Sequence, residues 1–64
     1  MRLTEFWNRM NSHFGADYAA SVAQDYVLAD LGGRTVNQAL ADGQDVNVIW
    51  KAVGEAFDVP DNLR

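Results

Sequence analysis

The chain has 64 residues, nine acidic against five basic for a net charge of about −4, one histidine and no cysteine. So short a chain builds a single core and no second domain, so residues 1–64 are expected to form one small helical domain. With no cysteine and one histidine it has neither a disulfide framework nor the ligands of a structural zinc site, and its interspersed charges argue against non-specific binding to nucleic acid or to anionic membranes.

From Thr4 onward, Phe6, Trp7, Met10 and Phe14 recur at three- and four-residue steps, while Glu5, Asn8, Arg9 and Ser12 fall opposite. The spacing predicts a first helix over 5–14, with Thr4 as N-cap, Glu5 and Arg9 as an i, i+4 pair, and Gly15 suited to a left-handed ending. A second helix is predicted over 16–31, with Tyr18, Ala19, Val22, Ala23, Tyr26 and Ala29 on its buried face and Gly32-Gly33 as its stop. Thr35 with Gln38 three positions on is a capping box opening a short helix over 36–42, which carries Val36, Ala39 and Leu40 and ends at Gly43. Asp45 then caps a fourth helix over 46–58, with Val46, Ile49, Trp50, Val53 and Phe57 as its stripe and Asp58-Val59-Pro60 as its end. The tail, residues 61–64, is expected to fray.

No segment alternates with a two-residue period, so the expected class is all-α, a compact three- or four-helix bundle. Its expected core is Leu3, Phe6, Trp7, Met10, Phe14, Tyr18, Val22, Tyr26, Leu40, Ile49, Trp50, Val53 and Phe57. The chain's seven aromatic residues supply the apolar area that a short, unstapled domain needs. No apolar run reaches the length of a membrane span, and the amino terminus lacks a signal peptide's pattern, so the expectation is a cytoplasmic protein with no membrane partner.

Several segments invite a functional reading. Residues 35–53 have the dimensions of a helix-turn-helix, but the exposed side of the second helix offers Asn47, Lys51, Glu55 and Asp58, almost as many carboxylates as amines. His13, in the last turn of the first helix, suits the helix dipole and reads as structural. Leu31-Gly32-Gly33-Arg34-Thr35 could cradle a phosphate, yet it lacks the spacing of a nucleotide-binding loop; a helix stop and a capping box explain every residue except Arg34. Asp25, Asp30, Asp42 and Asp45 do not follow calcium-loop spacing. Trp7 and Trp50 are each in phase with their own apolar stripe and read as core.

The opening Met1-Arg2-Leu3-Thr4-Glu5-Phe6-Trp7, then Met10, His13-Phe14-Gly15, Leu31-Gly32-Gly33-Arg34-Thr35 and Trp50-Lys51-Ala52-Val53 resemble a family of short actinobacterial proteins, the domain of unknown function 3046. The resemblance spans nearly the whole chain and implies no activity, cofactor or site residue. It implies a link to DNA repair only by association, because members tend to be encoded near the bacterial recombinase and its small regulator. Where relatives often open the fourth helix with proline and basic residues, this chain has Val46-Asn47-Val48, which weakens any charge-based contact there.

The sequence therefore points to a non-enzymatic protein-interaction module that binds no cofactor or metal and engages an unknown protein partner or a second copy of itself. The alternative is a weak nucleic-acid-associated regulator acting through 35–53. Five large apolar residues crowd the first helix, more than a small core holds, so the contact patch is expected on that helix and at the 32–35 corner. Its candidate residues are Leu3, Trp7, His13 and Arg34.

Overall fold

The computed structural model describes residues 1–59. Four α-helices follow one another: α1 (Leu3–Phe14), α2 (Ala16–Asp25), α3 (Val36–Ala41) and α4 (Val46–Ala56), with a single 3-10 turn at Ala29–Leu31. The chain is all-α, and an isolated antiparallel bridge between Leu28 and Arg34 is its one β-type pairing among the described residues.

Helix α1 begins slightly earlier than its pattern implied. Arg2 is the N-cap and makes no side-chain cap, so Thr4 lies inside the first turn instead of capping it. Phe6 and Met10 are fully buried, Trp7 and Phe14 half-buried beside them, and Arg9 donates to Glu5 at 2.8 Å on the solvent side. Gly15 then joins α1 to α2 alone. Its N–H completes α1 by donating to the Asn11 carbonyl, and its own carbonyl accepts the first bond of α2 from Ala19, both at 2.8 Å. The expected left-handed ending is replaced by a positive φ of 85° with an extended ψ of 146°. No Cβ-bearing residue adopts that pair of angles without strain.

Helix α2 ends at Asp25, six residues before the expected Leu31. The reason lies in phase. A helix continued through Leu31 would put that residue nine positions from Val22, two and a half turns away and so on the opposite side. The chain instead leaves the helix at Tyr26 and reverses, and Leu28 and Leu31 both become buried. The reversal has its own hydrogen bonds: Leu28 N–H to the Arg34 carbonyl at 2.9 Å, Gly32 N–H to Ala29 at 3.0 Å and Gly33 N–H to Leu28 at 3.1 Å.

The remaining helix starts follow the sequence closely. Thr35 Oγ1 accepts from the Gln38 N–H at 3.2 Å while Gln38 Oε1 accepts from the Thr35 N–H at 3.0 Å, a complete capping box. Asp45 Oδ1 accepts from the Asn47 N–H at 2.8 Å and opens α4. Helix α4 meets α1, α3 and the 3-10 turn and buries Ile49, Trp50, Ala52, Val53 and Gly54. It stops at Ala56, two residues short of the expected end. Asp58 takes a left-handed φ of 55°, and the Val59 N–H returns to the Gly54 carbonyl at 2.9 Å, a Schellman closure with aspartate in the usual glycine position. Pro60 and the tail at 61–64 lie outside the described residues.

The core departs from expectation at three large side chains. Leu3, Tyr18 and Tyr26 are 50%, 49% and 45% exposed. Ala19, Ala23, Ala39 and Ala52 let the helices approach, and Leu28, Leu31, Val36 and Val59 take the interior positions instead. Trp50, 3% exposed, meets the edge of Phe6 at 5.9 Å, and its Nε1–H has no acceptor among the described residues.

Three substitutions probe this packing. Trp50→Ala should cost about 3 to 5 kcal/mol, whereas Trp50→Phe, which keeps a ring against Phe6 and removes the unpaired N–H, should cost clearly less. Gly15→Ala should cost about 1 to 3 kcal/mol through backbone strain, although nothing lies within 4 Å of where its Cβ would sit. Urea denaturation measures all three; a Trp50→Ala loss below about 1 kcal/mol would show that the ring is not a core element.

Candidate functional site

The most distinctive surface arises where α1 ends, α2 begins and α4 stops. Phe14 is the last residue of α1, and the Gly15 corner brings Tyr18, in the first turn of α2, to 5.7 Å from it, centroid to centroid. Phe57, at the C-cap of α4, approaches Phe14 from the other side at 5.2 Å. Tyr26, turned back by its extended backbone, lies 5.3 Å from Phe57. Every pair is edge-to-face, the arrangement that ring quadrupoles favour, with about 0.5 to 1.5 kcal/mol per pair.

The two tyrosines end this row of rings, and the neighbouring Tyr26 hydroxyl, first as a hydrogen-bonding group, holds the Tyr18 pKa above its ordinary value. Repulsion between two neighbouring phenolates and slight desolvation act in the same direction. Phe14 and Phe57 root the cluster in the core, while the two tyrosines present nearly half of their surface to solvent.

Of the residues singled out from the sequence, His13 alone joins this cluster, exposed and edge-on to Phe14 at 4.6 Å. Leu3 is exposed at the start of α1, and Trp7 is half-buried, edge-on to Phe6 at 5.3 Å. Arg34 is engaged within its own corner. Its Nε pairs with Asp42 Oδ2 at 2.8 Å, its Nη1 donates to the Leu31 carbonyl at 3.2 Å, and it folds so closely over Gly32 that a Cβ there would lie 2.7 Å from Nη1. This gives Arg34 the structural explanation that the sequence lacked. The Gly32, Gly33 and Thr35 N–H groups all donate within the chain instead of pointing together at a phosphate site.

Sequence reasoning missed Tyr18 and Tyr26 as surface residues, and the half-buried Phe57 as their neighbour, because each reads as part of a helical stripe. One signal was present: each is next to an aspartate, Asp17, Asp25 and Asp58 respectively, a poor neighbour for a deeply buried ring.

Two other surfaces involve α4. The α3–turn–α4 unit has helix-turn-helix order, and the exposed side of α4 carries Asn47, Val48, Lys51 and Glu55, with the Asp45 carboxylate at its N-terminus. Between α1 and α4 an open groove of about 480 Å³ is lined by Met1, Glu5, Arg9, Asn47, Trp50 and Lys51. Among the described residues no three His, Cys, Asp or Glu side chains come together as a metal site, and no helix is long and apolar enough to cross a membrane.

A family model described as a protein of unknown function, DUF3046, matches residues 1–62. Neither the curated proteins nor the solved structures include a match.

The tyrosine pair can be tested by spectrophotometric titration. Tyr26→Phe removes both the hydrogen-bond partner and the neighbouring charge, so Tyr18 should ionise at a lower pH than in the parent protein. An unchanged Tyr18 titration would show that the two hydroxyls do not interact.

Proposed function

Since the chain belongs to the DUF3046 family of proteins of unknown function, membership brings no activity with it, and we propose that the protein is a non-enzymatic protein-interaction module of the cytoplasm. Its contact surface is the Phe14–Tyr18–Tyr26–Phe57 face, and its partner is another protein.

The observation that carries this reading is the row of four edge-to-face rings that ends in two half-exposed tyrosines. Tyrosine offers a large contact area that loses little conformational freedom on binding, together with a hydroxyl for orientation, which is why it is enriched at interfaces and their energetic centres. Rings already fixed by their neighbours lose less still. A role at nucleic acid has the helix order of α3 and α4 in its favour, but phosphate would meet Glu55 and Asp45 as well as Lys51.

Affinity capture from the native cells tests the proposal. Tyr18→Ala/Tyr26→Ala, which alters exposed positions and should remain folded by circular dichroism, should lose the specifically captured protein. Leu3→Ser, at an exposed apolar position at the other end of α1 from Phe14, should keep it. Retention of every partner by the folded double variant would place the contact surface elsewhere.

A further inference from the structure

We infer that the aromatic face receives an arginine-bearing basic segment of the partner protein. The inference rests on reading this face as the contact surface and specifies what it recognises.

The charges that adjoin the face's rings along the chain are one-sided. Two of the protein's carboxylates are matched internally, Glu5 by Arg9 and Asp42 by Arg34, each at 2.8 Å, and Asp45 is used as a helix cap. Asp17, Asp25, Asp30, Glu55 and Asp58 have no ion pair among the described residues and are exposed, and three of them, Asp17, Asp25 and Asp58, concern the face. Each is the immediate chain neighbour of a ring on the face: Asp17 of Tyr18, Asp25 of Tyr26 and Asp58 of Phe57. None of Arg2, Arg9, Arg34 and Lys51 adjoins such a ring in the chain. Arg2 sits at the opposite end of α1 from Phe14, about 18 Å away for a helix of this length. Three carboxylates without an ion pair thus flank the rings of the face along the chain, and no described cation adjoins those rings in the chain.

Guanidinium is the chemistry that fits both features at once. Its planar, weakly hydrated cation stacks on a tyrosine ring, and its fork of N–H groups takes a carboxylate in bidentate fashion. A lysine ammonium is a compact, strongly hydrated charge that matches the carboxylates but gains less from the rings. An acidic peptide or a phosphate backbone would be repelled by all three aspartates.

The test uses the full chain with carbon-13-labelled aromatic rings and three blocked pentapeptides of the form Gly-Xaa-Gly-Xaa-Gly, in which Xaa is arginine, lysine or glutamate. The arginine peptide should shift the Tyr18 and Tyr26 ring signals saturably. The lysine peptide should bind several-fold more weakly, and the glutamate peptide should leave the rings unmoved. Asp17→Asn/Asp25→Asn/Asp58→Asn, which keeps every ring, should weaken the arginine peptide by about fivefold, the sum of three exposed charge contacts, and added salt should weaken it similarly. Ring signals that do not move, or that move equally for arginine and lysine and ignore the aspartate replacements, overturn the inference. If the tyrosine double variant loses its captured partner while the arginine peptide leaves the rings unmoved, the face is a contact surface for other chemistry and this inference alone falls.

Discussion

Gly15 is the single residue between α1 and α2, and at φ 85° and ψ 146° it closes the hydrogen-bond ladder of one helix while opening that of the next. A one-residue connection has no slack, so the relative placement of the two helices is fixed by two backbone angles that glycine alone adopts cheaply. Their contact buries Phe6 and Met10 of α1 and Ala19, Val22 and Ala23 of α2 in one core. The same corner leaves Phe14 beside Tyr18 with one side of its ring open, where Phe57 arrives from the far end of α4. The backbone constraint that organises the core therefore also composes the surface on which function is proposed.

A second reversal holds the other half of the molecule. Leu28 and Leu31 enter the core only because the chain leaves the helical path at Tyr26, and the Leu28–Arg34 bridge, the 3-10 turn and the Arg34–Asp42 pair hold that path in place. The ion pair is about half exposed on both sides and contributes at most about 1 kcal/mol. The burial of two leucines is the larger gain, since complete burial of such a side chain is worth roughly 1.5 to 3 kcal/mol. Turning Tyr26 out of α2 also brings it to Phe57, so the detour that fills the core completes the aromatic face.

Features decided within a few residues were legible in the sequence. The Thr35/Gln38 capping box, the Asp45 cap, the Glu5–Arg9 pair and the buried stripe of α4 depend on spacing alone, and the structure has them where the spacing put them. What depended on distant parts of the chain was not legible. Tyr18 and Tyr26 lie in phase with buried alanines, and only the phase of Leu28 and Leu31 against Val22 signalled that α2 had to stop early. Arg34 was conspicuous without a reason until its partner, eight residues on, came into view. The expected patch of Leu3, Trp7, His13 and Arg34 and the aromatic face share His13, and the face gathers the end of α1, both limits of α2 and the C-cap of α4, which spacing within one helix does not bring together. Counting large side chains correctly implied that some would remain outside the core, but which ones was settled by packing that the sequence does not display.

The central claim is that four rings from three separate stretches of chain form one ordered, solvent-facing cluster. Its most direct test is a nuclear Overhauser experiment on the aromatic protons, with and without a soluble nitroxide. The account predicts cross-peaks from Phe14 to Tyr18 and Phe57 and from Phe57 to Tyr26, with strong nitroxide broadening at both tyrosines and little at Phe6 and Trp50. Missing cross-peaks between Phe57 and its two neighbours, or tyrosine signals as protected as that of Phe6, would contradict it.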